Sequence, residues 1–145
     1  MNKSLKNILI FITVLIAIEL HRFIGMPIVQ GVLNGTENAA WYYPALLGVI
    51  VALLSPIAIY LLWKKPNIYS WAFLLTYFVI SIIDHGNGFA ATNVAGAPKA
   101  FAAMGESKAS EYITVVQAGL DLICIYLLFK NKVKKYFNIS INEKV

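Results

Sequence analysis

At 145 residues, with 59% hydrophobic content and a mean hydropathy of +0.70, the chain is too apolar for a soluble domain and too short for more than one small membrane domain. Its net charge of +5 would suggest nucleic acid in a soluble protein, but the twelve basic residues sort by membrane side instead, so no nucleic-acid partner is expected. Cys124 is the only cysteine, which excludes intramolecular disulfides, CxxC redox chemistry and thiolate metal cages. It reads as a small apolar packing residue.

Four apolar stretches follow one another at about 8–27, 43–63, 68–85 and 113–129. Each spans or nearly spans a hydrocarbon core that needs about 20 helical residues and tolerates about 17. They predict an all-α integral membrane protein, an antiparallel four-helix transmembrane bundle forming a single membrane domain over 1–145. The first stretch, with Lys3 and Lys6 ahead of the uncharged run Ile8–Ile18, also resembles a signal peptide. Its candidate exit positions offer Leu15 and Ala17, or Phe23 and Gly25, where two small residues would mark cleavage. A retained helix is therefore expected.

Between the first and second stretches, Asn34-Gly35-Thr36 favours a turn, with Thr36 able to cap the second helix. This tripeptide and Asn138-Ile139-Ser140 both match a glycosylation acceptor, a pattern loose enough to arise by chance. Within the second stretch Pro56 removes one backbone hydrogen bond and predicts a kink. The short turn Lys64-Lys65-Pro66-Asn67 then forces the second and third helices into a tight hairpin. Trp41, Tyr42 and Tyr43 at one level, and Tyr60, Trp63, Tyr69 and Trp71 at the other, match the aromatic belts found at the two headgroup layers.

The run Asp84-His85-Gly86-Asn87-Gly88 is expected to end the third span and open a long outer loop over 86–111. Pro98 in that loop could start a short surface helix carrying Phe101 and Met104. Lys3, Lys6, Lys64, Lys65, Lys130, Lys132, Lys134, Lys135 and Lys144 fall on one side of the four-span layout, and only Arg22, Lys99 and Lys108 on the other. Nine against three places both termini in the cytoplasm of a multi-pass cell-membrane protein.

The acids inside these spans mark the candidate site, because an ionised side chain in the bilayer centre costs roughly 2.5–3.5 kcal/mol on insertion scales. Counting about 1.5 Å per residue from the inner edge, Glu19 rises roughly 16 Å, Asp121 roughly 12 Å, Arg22 roughly 21 Å and Asp84 roughly 24 Å. Glu19 and Arg22 share a helix face at i, i+3 and are expected to pair. Glu111, Thr114, Gln117 and Asp121 draw a polar stripe from the outer mouth to the midplane, expected to line an outward-open cavity. The expected cluster is Glu19, Arg22, Gln117 and Asp121 facing one another, with Asp84 or His85 above them at the mouth.

Three readings fit this cluster: a buried ion-pair network in a structural subunit, a site for a small polar or cationic ligand or for protons, and an acid/base enzyme using Glu19, Asp84 or Asp121 with His21 or His85. The second, extended to a proton-linked carrier, is the leading expectation. No cofactor or metal is expected. His21 points roughly 200° around its helix from Glu19, and the chain has neither a histidine pair at i, i+4 nor Glu-x-x-His. The lipid bilayer is the expected surrounding, with a homo-oligomer or partner membrane subunits, since four spans leave little interior for a cavity.

Four spans with a glutamate midway along the first are similar to the small multidrug-resistance transporters, in which such a glutamate exchanges protons and cations. The resemblance implies that role for Glu19. The chain departs from that pattern in the 86–111 loop, in Arg22 one turn beyond the acid, and in Asp121. Sterol-isomerase-like four-helix membrane domains share the outline to the same extent.

Overall fold

A computed structural model describes residues 2–24, 39–93 and 108–139. The described residues are all helical: α1 (Lys3–Ile24), α2 (Ala39–Lys64), α3 (Ile68–Asn93), α4 (Lys108–Leu128) and the short α5 (Asn131–Tyr136). Two stretches, Leu46–Lys64 of α2 and Ile68–Asn87 of α3, are long and apolar enough to cross a membrane.

Each long helix buries one seam whose members step by three or four residues. On α1 the seam is Leu9, Ile12, Ile16 and Glu19; on α2 Val51, Ser55, Ala58 and Leu62; on α3 Ser70, Leu74, Tyr77, Ser81 and His85; on α4 Asp121, Cys124 and Leu128. Steps averaging close to 3.5 keep one face of a helix against its neighbours along its whole length. Successive helices pack on each other, and α1 also touches α4, which closes the ring. The seams are apolar in one half of the molecule and polar in the other. That division decides where chemistry can occur.

Contacts at the apolar end fix the direction of every helix. The Trp63 indole donates to Thr13 Oγ1 at 2.8 Å, Trp71 Nε1 donates to the Leu128 carbonyl at 2.9 Å, and Lys132 Nζ donates to Ser4 Oγ at 2.6 Å. The start of α1, the end of α2, the start of α3 and the end of α4 therefore lie together, and neighbouring helices alternate in direction. Pro66 has no N–H with which to continue α2, and Asn67 caps α3 by accepting the Ser70 amide at 2.9 Å. That is the tight hairpin expected from Lys64–Asn67.

α5 closes this end. Val133 and Phe137 are buried under the long helices, and the Tyr136 hydroxyl donates to the Leu62 carbonyl at 2.8 Å. Asn138 adopts a left-handed φ of 57°, while the Ile139 amide reaches the Lys134 carbonyl at 3.0 Å and the Asn138 amide the Lys135 carbonyl at 3.1 Å. This is a Schellman stop, and asparagine is among the few residues that tolerate the left-handed well. Burial pushes the Tyr136 phenol above its ordinary value.

Several expected boundaries move. α3 does not end at His85: it runs through Gly86, Asn87 and Gly88 to Asn93, and α4 begins at Lys108. The interval between them is thus 94–107 rather than 86–111. Two glycines weaken a helix by about 1 kcal/mol each, and here packing of α3 against both α2 and α4 outweighs that cost. α2 continues through Pro56, with Ser55 Oγ donating to the Val51 carbonyl at 2.9 Å beside the missing backbone bond. Asn34–Thr36 and the expected helix at Pro98–Met104 lie outside the described residues.

Candidate functional site

In the polar half, α1, α3 and α4 bring three ionisable side chains to one point. His85 Nε2 lies 3.3 Å from Glu19 Oε1 and 3.4 Å from Asp121 Oδ2. All three residues are nearly sealed from solvent, with exposures of 1%, 3% and 3% in that order. Gln117 Nε2, one turn from Asp121 on α4, donates to Glu19 Oε1 at 3.3 Å. Ser81, one turn before His85, places Oγ 3.5 Å from the same imidazole nitrogen. One nitrogen therefore faces two carboxylates and a hydroxyl.

The donor count is what makes this arrangement reactive. A single Nε2–H can point at one carboxylate at a time, and the imidazole has no other hydrogen on that side. Glu19 also takes the Gln117 amide. Asp121 Oδ2 is fully buried 3.4 Å from Nε2, Glu19 Oε2 is fully buried as well, and neither oxygen accepts a hydrogen bond from a described residue. Buried carboxylate oxygens need a donor, because leaving one unmatched costs about 1–3 kcal/mol or more.

A second polar pair lies toward the apolar half. Ser55 of α2 and Tyr77 of α3 are hydrogen-bonded at 2.9 Å, both fully buried. Tyr77, Ser81 and His85 step by four along α3, so they stack on one face and lead from this pair to the acids. Sequence reasoning passed over Ser55, Tyr77 and Ser81. Their signal was present in the same three-four spacing that carries the apolar seam, but serine and tyrosine cost little to bury and so drew no notice.

Of the residues expected at the site, Glu19, His85, Gln117 and Asp121 meet directly. Asp84 is buried on the neighbouring position of α3, about 100° around the helix from His85. The Arg22 side chain lies outside the described residues, and with it the expected Glu19–Arg22 pair. His21 and Glu111 side chains lie outside them too. His85 touches both acids directly, with Nε2 within 3.4 Å of each. Counting backbone rise leaves out the tilt of side chains toward the start of their own helix. On α3 that tilt carries His85 toward the apolar end, and on the antiparallel α4 it carries Asp121 the opposite way. The two meet in between.

Among the described residues no group of three or more metal-ligating side chains is arranged to hold a metal ion. Cys124 is a free thiol buried one turn from Asp121. No protein-family model, curated protein or solved structure matches this chain.

Proposed function

We propose that this is a four-span membrane protein, a left-handed antiparallel bundle with cytoplasmic termini, whose Glu19–His85–Asp121 cluster binds and releases a proton as part of a proton-linked carrier. Support for insertion comes from the distribution of side chains. Leu53, Val115, Val116 and Leu122 are largely exposed, at 69%, 55%, 59% and 57%, while two carboxylates and an imidazole are buried. That is the inverse of a water-soluble surface and core. In α4 the apolar part Tyr112–Leu128 rises roughly 26 Å at 1.5 Å per residue, close to the shortest length that crosses a hydrocarbon core. Charge agrees, since the lysines gather at the end that holds α5 and the 65–67 turn.

The single observation that carries the proton reading is one imidazole nitrogen shared by two sealed carboxylates. With the site closed over, the ligand that fits without rearrangement is the smallest one. An added proton turns one carboxylate oxygen from acceptor to donor, so that every polar atom around Nε2 is matched. Larger cations would need α1 and α4 to part, and those two helices are the least closely packed neighbours in the ring. Parting there is the motion a carrier would use.

Infrared difference spectra of the reconstituted protein between acidic and alkaline buffer test this. A carboxylic C=O band should appear on acidification and be lost or shifted in Asp121→Asn or Glu19→Gln. A spectrum unchanged by both substitutions rules out proton binding at this site. The rival reading, a structural subunit, is favoured by the mutual satisfaction of Gln117 and Glu19. It forecasts loss of assembly or abundance in the same variants with no spectral change. Thiol labelling of Gly35→Cys and Lys99→Cys from outside the cell checks the topology, and labelling of both only from the cytoplasmic side would overturn it.

A further inference from the structure

Among the described residues, the end of the molecule that holds α5 carries basic side chains and no acidic one. α5 and its flanks hold Lys130, Lys132, Lys134 and Lys135, the neighbouring turn adds Lys65, and no Asp or Glu lies in either segment. Between the end of α4 and the start of α5 is an open groove of about 560 Å³, lined by Tyr126, Phe129, Lys130, Asn131 and Lys132. Its walls are of two kinds. Tyr126 and Phe129 are large exposed rings that continue the apolar outer face of α4 through Ile123, while the floor is cationic.

Lys130, Lys132 and Lys134 are held in place by rings and hydroxyls of described residues. Lys130 Nζ sits 4.3 Å over the centre of the Tyr126 ring and bonds its hydroxyl. Lys132 Nζ spends one of its three donors on Ser4 Oγ. Lys134 Nζ lies 5.2 Å over the Phe129 ring. Rings and hydroxyls orient an ammonium group but leave its charge unmatched. Two oriented ammonium groups above an aromatic wall, where an apolar helix face meets water, match a phosphate carrying acyl chains.

We propose that this groove binds the headgroup of an anionic phospholipid, with Lys130 and Lys132 on the phosphate and the acyl chains along Ile123, Tyr126 and Phe129. The proposal rests on the membrane-spanning part of the reading above and not on its proton chemistry. It makes α5 a lipid-reading element, not only a topology signal. Near an anionic surface each lysine engaged favours the charged lipid by about five-fold.

Trp71 reports on the groove directly: its ring packs edge-on against Phe129 at 5.2 Å. In the full chain carrying W41F and W63F, Trp71 is the sole tryptophan. This protein is reconstituted in phosphatidylcholine vesicles containing an equal minor fraction of either brominated phosphatidylglycerol or brominated phosphatidylcholine, and Trp71 quenching is read. The expected result is several-fold stronger quenching by the anionic lipid, lost in K130Q/K132Q and kept in K64Q/K65Q. Equal quenching by both lipids would mean an inserted protein without this site. Equal loss in both lysine pairs would mean diffuse attraction, and removal of the excess by inorganic phosphate would mean a site for a soluble anion; either overturns the proposal. Quenching by neither lipid would overturn insertion, and this inference with it.

Discussion

Replacing His85 with Phe removes the one described side chain that touches both acids while keeping a planar ring in a site that is 1% exposed. The phenyl ring is larger than the imidazole by about a methylene group, so overpacking adds to the change. What is lost is the donor at Nε2. A hydrogen bond to a charged group is worth about 1.5–3 kcal/mol, and stranding buried charge raises the cost to about 3–5 kcal/mol. Glu19 Oε1 keeps the Gln117 amide, and the cost is shared between the two acids that face Nε2. His85→Phe should therefore destabilise by about 3–5 kcal/mol, and His85→Phe combined with Asp121→Asn by clearly less than the two single changes added together. Unfolding of the purified protein in mild detergent, followed by helix content against denaturant, measures all three. His85→Gln, which retains one amide donor, is the milder companion should His85→Phe fail to fold, and it should fall between the parent and the Phe variant. Additivity of the two changes within about 0.5 kcal/mol would mean that His85 and Asp121 do not share a site, and the proton reading would lose its basis.

Tyr77→Phe should cost only about 0.5–1.5 kcal/mol, because Ser55 retains its bond to the Val51 carbonyl, and Ser55→Ala in the same background should add little; a full second loss in the same unfolding assay would show that the pair is not coupled. Phe78→Ala distinguishes a lipid from an aqueous surrounding. If the unfolded helices stay in an apolar phase the transfer contribution vanishes, and a cavity of roughly 100 Å³ at ~24 cal/mol per Å³ costs about 2 kcal/mol, whereas release into water should cost about 3–5 kcal/mol. Comparing detergent-based unfolding with urea extraction from vesicles reads the difference. Gly86→Ala should stabilise α3 by about 0.5–1 kcal/mol, since an added Cβ meets nothing within 4 Å and alanine favours the helix; destabilisation would mean that this stretch of α3 does not stay helical in the membrane.

What the chain's residue order determined by itself was the helical architecture and which groups are too costly to leave facing an apolar phase. Apolar length and the Pro66-Asn67 turn specify where α2 gives way to α3, because Pro66 ends one helix and Asn67 caps the next by local bonding alone. Glu19 and Asp121 stood out for the same local reason: each is an acid in an otherwise apolar run. The partnership between them was a different matter. It depends on helix rotation and side-chain tilt, which shift a functional group by several ångströms and decide that His85 touches both acids. The continuation of α3 through Gly86 and Gly88 was likewise hidden, since two glycines argue locally for a helix end and only packing against α2 and α4 overrides them. Ser55, Tyr77 and Ser81 were hidden for the opposite reason. Nothing in their own chemistry forbids a lipid-facing position, and only the packing of α2 against α3 turns a serine and a tyrosine into a buried pair leading to the site.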